Sequence, residues 1–139
     1  MSIRQFLTAY AASALVFLAI DASWLATMAN RLYRPAIGHL MRADMDIKAA
    51  VTFYALYVAG IVIFAIVPAV EARSWTSALG RGALLGLFAY ATYDFTNQAT
   101  LKDWPWRLTL IDLAWGAFVT AAAAAAGCRA VLAFGGPGR

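Results

Sequence analysis

Charge is scarce in this chain. Only 13% of its 139 residues are charged, against 63% hydrophobic, and the mean hydropathy is +0.70. Soluble domains are about a quarter charged and about half apolar. A chain this short cannot enclose so much apolar surface in one globular core, because small domains leave much of their surface exposed. Lipid must therefore be the solvent for most of it. Cysteine is nearly missing as well. The single Cys128 excludes an internal disulfide and any multi-cysteine metal knuckle, and it leaves the compartment unreadable from redox chemistry. Histidine is represented by His39 alone. There is no HxxxH, CxxC or DxxDG…DxxxD spacing, no glycine-rich phosphate loop after a strand, and no GxSxG. These absences speak against nucleotide-driven transport and serine hydrolysis. No cofactor and no metal are expected, although oxygen ligands would suit a hard cation such as Mg²⁺. The formal charge of +4 is too small and too scattered for a nucleic-acid footprint. It fits juxtamembrane arginines meeting anionic head groups.

Four apolar runs fill the chain. About 20 apolar residues cross a bilayer core, and runs of that length without period-two alternation read as helices, since an open strand cannot satisfy its backbone in lipid. The first run covers about 6–29. It is too long for a signal peptide and holds Asp21 and Trp24 where a cleavage site would lie. A polar interval from Asn30 to Lys48 follows, in which Pro35 and Gly38 are expected to break the helix and Asp44 or Asp46 to cap the next one. The second run, 49–70, has no charge, and Pro68 near its end predicts a kink or stop.

The third run, 78–97, carries Gly82 and Gly86 as a small-xxx-small pair, a pattern that admits a close neighbouring helix. A polar turn follows, with Asp103 two residues before Pro105 as a plausible helix start. The fourth run, 108–134, includes the alanines from Ala121 to Ala126 and a late Arg129 able to snorkel. Trp75, Trp104 and Trp106 read as an interfacial belt, and 135–139 as a frayed tail. The expectation is a single membrane domain over 1–139: an all-α, polytopic bundle of four transmembrane helices.

Alternating spans place three acids at one end. Asp21 is late in the first run, Asp94 late in the third and Asp112 early in the fourth. A mid-helix Asp costs about 2.5–3.5 kcal/mol on insertion scales, so all three should face the bundle interior or a wet pocket. Nearby counter-charges would come from Arg31, Arg34 or Arg107. Asp21 and Trp24 are three residues apart, as are Asp112 and Trp115, so each pair shares a helix face. IDASW and IDLAW therefore read as matching segments on helices of opposite direction. On the third helix Tyr90, Asp94 and Asn97 line one face, with Tyr93 beside it. The expected ligand-binding set is Asp21, Trp24, Tyr90, Asp94, Asn97, Asp112 and Trp115, with no catalytic residue assigned. The plainer alternative is that the acids hydrogen-bond between helices and hold the bundle together. His39 reads as a surface residue and Cys128 as an inert small one.

YATYDFTNQATLKDWPWRLTLIDLAWG, together with IDASWL, GHLM and FYALYVAGIVIFAIVPA, resembles a family of small bacterial inner-membrane proteins, domain of unknown function 2177. The resemblance covers nearly the whole chain, and YDFTNQATLKDWP is its most specific part. It implies a four-helix, multi-pass protein of the bacterial inner membrane with no assigned activity. Its recurrent polar positions fall on Asp21, Trp24, Asp94, Asn97, Asp112 and Trp115. Phe95 stands where members often have leucine.

Lysine and arginine divide five against six between the two sides, which leaves orientation undecided. Three functions compete. In the first, a binding or transport module holds a cation, a proton or an amphipathic small molecule. Four helices are few for alternating access, so transport would call for a homodimer through the Gly82/Gly86 or Ala121–Ala126 faces. In the second, a lipid- or isoprenoid-modifying enzyme uses Asp94 and Asp112 as acid and base, helped by His39. In the third, the chain is a structural or assembly partner. The first is preferred, with the lipid bilayer as the standing partner.

Overall fold

A computed structural model describes residues 1–135, so the expected frayed tail lies outside the described residues apart from Gly135. Among them every regular element is helical. α1 (Ile3–Met28) opens on a capping box: Ser2 Oγ accepts the Gln5 N–H at 3.2 Å and Gln5 Oε1 accepts the Ser2 N–H at 2.9 Å. The helical path then runs through Pro35 without the expected break, and its α-helical part ends at Gly38 as expected. It widens into a π turn, Ala29–Tyr33, and continues as α2 (Arg34–Ile37) and a 3₁₀ turn, Gly38–Leu40. Pro35 is the second residue of α2. A proline lacks an N–H and crowds the carbonyl four residues back, and the wider turn just before it relieves both problems.

The second rod repeats this device. α3 (Ile47–Ile61) is capped by Asp46, which accepts the Ala49 N–H at 3.1 Å. A π turn, Val62–Ile66, precedes α4 (Val67–Glu71), where Pro68 again stands second. The perturbation expected at Pro68 is thus a widened turn and not a stop. Ser74 caps α5 (Trp75–Thr100) by accepting the Ser77 N–H at 3.2 Å. Asp103 does not start the last helix. It sits in the left-handed region at φ 59°, which Asp tolerates better than most residues, and α6 (Trp106–Phe134) begins after Pro105 with no side-chain cap.

The four rods form the expected all-α bundle. Three are long and apolar enough to cross a membrane: Ile3–Leu40, Ile47–Glu71 and Trp106–Phe134. α5 has 26 residues, as many as α1. Arg81, Asp94, Asn97, Gln98 and several glycines and threonines make it less apolar than its neighbours. Its longest seam is with α6, and α6 also packs along α1. Phe17, Ile61, Val62, Ile66, Val119 and Cys128 fill the centre. Leu15, Leu56, Phe64, Phe88 and Phe118 point outward from four rods.

Small residues set the spacing of the α5–α6 seam. A Cβ on Gly82 would meet the Ala124 Cβ at 2.7 Å and the Thr120 carbonyl at 2.8 Å. One on Gly86 would run into the Gly116 carbonyl, and one on Gly116 into the Tyr90 ring. Ala121, Ala123, Ala124 and Ala125 are buried. The small faces considered for a homodimer are therefore largely covered by the chain itself.

Substituting Gly86→Leu should destabilise the bundle by about 1–3 kcal/mol through overpacking. Gly80→Ala, whose added Cβ meets nothing within 4 Å, should be neutral or slightly stabilising. Thermal unfolding in detergent, followed by circular dichroism, separates the two.

Candidate functional site

Asp21, Asp94 and Asp112 come together at the end of the bundle that carries the first and third connections. They are 7%, 0% and 6% exposed. α1 and α6 run antiparallel, and three residues of helix advance about 4.5 Å. Two Asp-x-x-Trp segments on opposed helices therefore cross, each indole coming level with the other segment's acid. Trp115 Nε1 donates to Asp21 Oδ1 at 3.2 Å. Trp24 Nε1 donates to the Tyr33 hydroxyl at 3.0 Å, and Tyr33 donates to Asp112 Oδ1 at 2.8 Å. The two indoles stack between these bonds, centroids 4.1 Å apart and planes 11° off parallel. They pack on each other instead of walling an open pocket. The Tyr54 hydroxyl, from α3, donates to Asp21 Oδ2, so Asp21 has a donor on each oxygen.

Asp94 differs. Among the described residues neither of its buried carboxyl oxygens has a hydrogen-bond partner by geometry, and the carboxyl of Asp112 adjoins it. An ionised carboxylate only accepts hydrogen bonds, and leaving such a group unpaired in a low-dielectric interior is expensive. The expected counter-charges are not there. Arg31, Arg34 and Arg107 are all exposed, and the groups acting on Asp94 and Asp112 are acids and the Tyr33 phenol.

Tyr90 packs its ring over Gly116 and lies within electrostatic reach of Asp21, Asp112, Tyr33 and Tyr57. The same ring lines a cavity of about 360 Å³ with Phe53, Tyr57, Ala89 and Tyr93. The cavity exists because α5 is held by the Val62–Ile66 turn and α4, while α3 leans on α1. Tyr57 is tied off by Thr120 Oγ1 at 2.8 Å. None of the three acids lines this cavity; Tyr90 borders both. Asn97 is half-buried beside Tyr93 and does not join the carboxyls.

Tyr33, Tyr54, Tyr57 and Thr120 were not among the expected site residues. Tyr54 and Tyr57 carried a readable hint, as phenols three apart in a span without charge. Tyr33 carried none, because its partner Asp112 is 79 residues away. Trp104 is a correction. It is 6% exposed, donates to Thr109 Oγ1 at 3.1 Å and has its carbonyl held by Gln98 Nε2 at 2.7 Å, so it closes the loop and does not belong to a belt. Trp75 and Trp106 are exposed, with Arg129 lying over the Trp75 ring at 5.3 Å. His39 is exposed and Cys128 buried. Among the described residues no group of three His, Cys, Asp or Glu is placed to hold a metal ion.

A family model described as a predicted membrane protein, DUF2177, matches residues 6–129. The chain belongs to the DUF2177 family. The crossed Asp-x-x-Trp segments, Asp94 and Tyr90 all fall inside the matched range of this DUF2177 member. No curated protein and no solved structure matches the chain.

Tyr33→Phe removes the hydroxyl that serves both Trp24 and Asp112. It should destabilise the protein by about 1–3 kcal/mol, the range for stranding a buried polar group. Combining it with Asp112→Asn should cost less than the sum of the single changes. Unfolding of the four proteins in detergent gives the coupling.

Proposed function

We propose that this chain is a multi-pass protein of the bacterial inner membrane. In this reading α5 crosses the bilayer with the other three rods, and the acid end works as a binding or transport module for a cation-bearing amphipathic small molecule. The observation that carries this reading is Asp94. Among the described residues its buried carboxyl has no donor and no cationic side chain, and it adjoins a second carboxyl. Such a pair calls for a positive charge, brought either as a proton or on a ligand. The neighbouring cavity supplies the rest of a cation site: Phe53, Tyr57, Tyr90 and Tyr93 offer aromatic faces, and ring faces attract ammonium groups, most strongly when desolvated. Phe53 and Tyr93 are also outward-facing, so an alkyl chain would enter from the side, between α3 and α5.

The competing functions draw less support. A lipid- or isoprenoid-modifying enzyme would draw on His39 as helper, and His39 is exposed. A purely structural role accounts for Asp21, whose oxygens are both paired, but not for Asp94.

Dodecyltrimethylammonium is a suitable probe, titrated into purified protein while tryptophan fluorescence is recorded. Asp94→Asn should weaken its binding about tenfold or more, roughly the value of one desolvated charge interaction, and leave helicity intact. Dodecanol should bind poorly to both proteins. Equal binding of the charged and neutral probes, or an unchanged affinity in Asp94→Asn, would reject the cation site.

A further inference from the structure

A second pocket, of about 340 Å³, lies at the same end of the bundle and is lined by Arg31, Leu32, Pro35, Ala36, Pro105, Arg107 and Leu108. Its two arginines come from different connections, one from the Ala29–Tyr33 π turn and the other from the start of α6. Among the described residues no acidic side chain lines it. Each arginine is followed in sequence by a buried leucine, and those leucines, Leu32 and Leu108, pack together with Trp104 in one small core. The backbone at both arginines is therefore anchored by this core, and both exposed side chains line one pocket. Holding two like charges over one pocket without a counter-ion is unfavourable, and an anion between them reverses the sign of that interaction.

We propose that this pocket binds the phosphate of an anionic phospholipid. Guanidinium forks pair with two oxygens of a phosphate or a carboxylate, and at the level of the lipid head groups the phosphate is the anion at hand. The choice of a lipid over a free phosphate follows from the lining. Besides the two arginines, every lining residue is leucine, proline or alanine, a surface suited to the glycerol and upper acyl chain. The pocket also lies where the apolar rods end and Trp106 is exposed, the level at which head groups sit. The site is independent of the cation reading, since neither Asp94 nor the aromatic cavity contributes to it.

The test uses the full chain in detergent, with thermal stabilisation measured as phosphatidylglycerol, phosphatidylcholine or inorganic phosphate is added. Wild type should be stabilised by phosphatidylglycerol at concentrations where phosphatidylcholine and inorganic phosphate have no effect. Arg31→Gln with Arg107→Gln should weaken the phosphatidylglycerol response about thirtyfold, from two lost surface charges. Arg34→Gln with Arg42→Gln, which loses the same charge elsewhere on that end, should keep it. If the glutamine pair fails to fold, Arg31→Lys with Arg107→Lys keeps the charge but loses the fork, and an intermediate loss is expected. Equal weakening in the two glutamine pairs, full retention in the Arg31/Arg107 pair, an unweakened response in the lysine pair, or stabilisation by inorganic phosphate alone would each overturn the proposal.

Discussion

A carboxyl group inside an apolar bundle has to find a donor or lose its charge, and this molecule meets that requirement by crossing two identical spacings. Asp21 with Trp24 on α1 and Asp112 with Trp115 on α6 are brought level by the antiparallel run of the helices. Trp115 then serves Asp21, and Trp24 serves Asp112 through Tyr33. The stacked indoles fill the space between. The end of α1, the π turn behind it and the start of α6 are all positioned by this one arrangement.

The rest of the fold keeps α5 close enough to join. Gly82 and Gly86 let α5 approach Thr120 and Gly116 of α6 almost backbone to backbone, which brings Tyr90 and Asp94 against the crossed pair. Without that approach Asp94 would face lipid or water and could be solvated. With it, the carboxyl is sealed beside Asp112 with no partner of its own. Close packing at one end of the seam thus creates the unfavourable electrostatics at the other. The π turns act in the same sense on the remaining rods. One carries Tyr33 and Arg31 across the top of the bundle, and the other holds α5 while α3 leans toward α1 and leaves the aromatic cavity open.

The two pockets at this end have opposite chemistry. One is walled by ring faces near the carboxyls, the other by two guanidinium groups over an apolar floor. Their separation follows from helix direction. Acids placed within the spans must turn inward, whereas arginines placed in the connections reach the surface on long flexible stems.

Sequence alone established the all-helical class, the four rods, the shared end for Asp21, Asp94 and Asp112, and the common helix face of Asp21 with Trp24 and of Asp112 with Trp115. Those conclusions rest on composition, run length and helical period, which are local properties of the chain. It also placed a break at Pro35, a helix start at Asp103 and an interfacial role on Trp104. Each of these failed where a neighbour distant in sequence intervened or the backbone widened around a proline. Only the tertiary structure decided which carboxyls are satisfied. The donors for Asp21 and Asp112 come from Tyr54, Trp115 and Tyr33, on elements 33, 94 and 79 residues away, and no periodicity reports on such distances. It also decided that the small-residue faces are used within the chain, because a glycine stripe reads the same whether its partner helix is its own or another's.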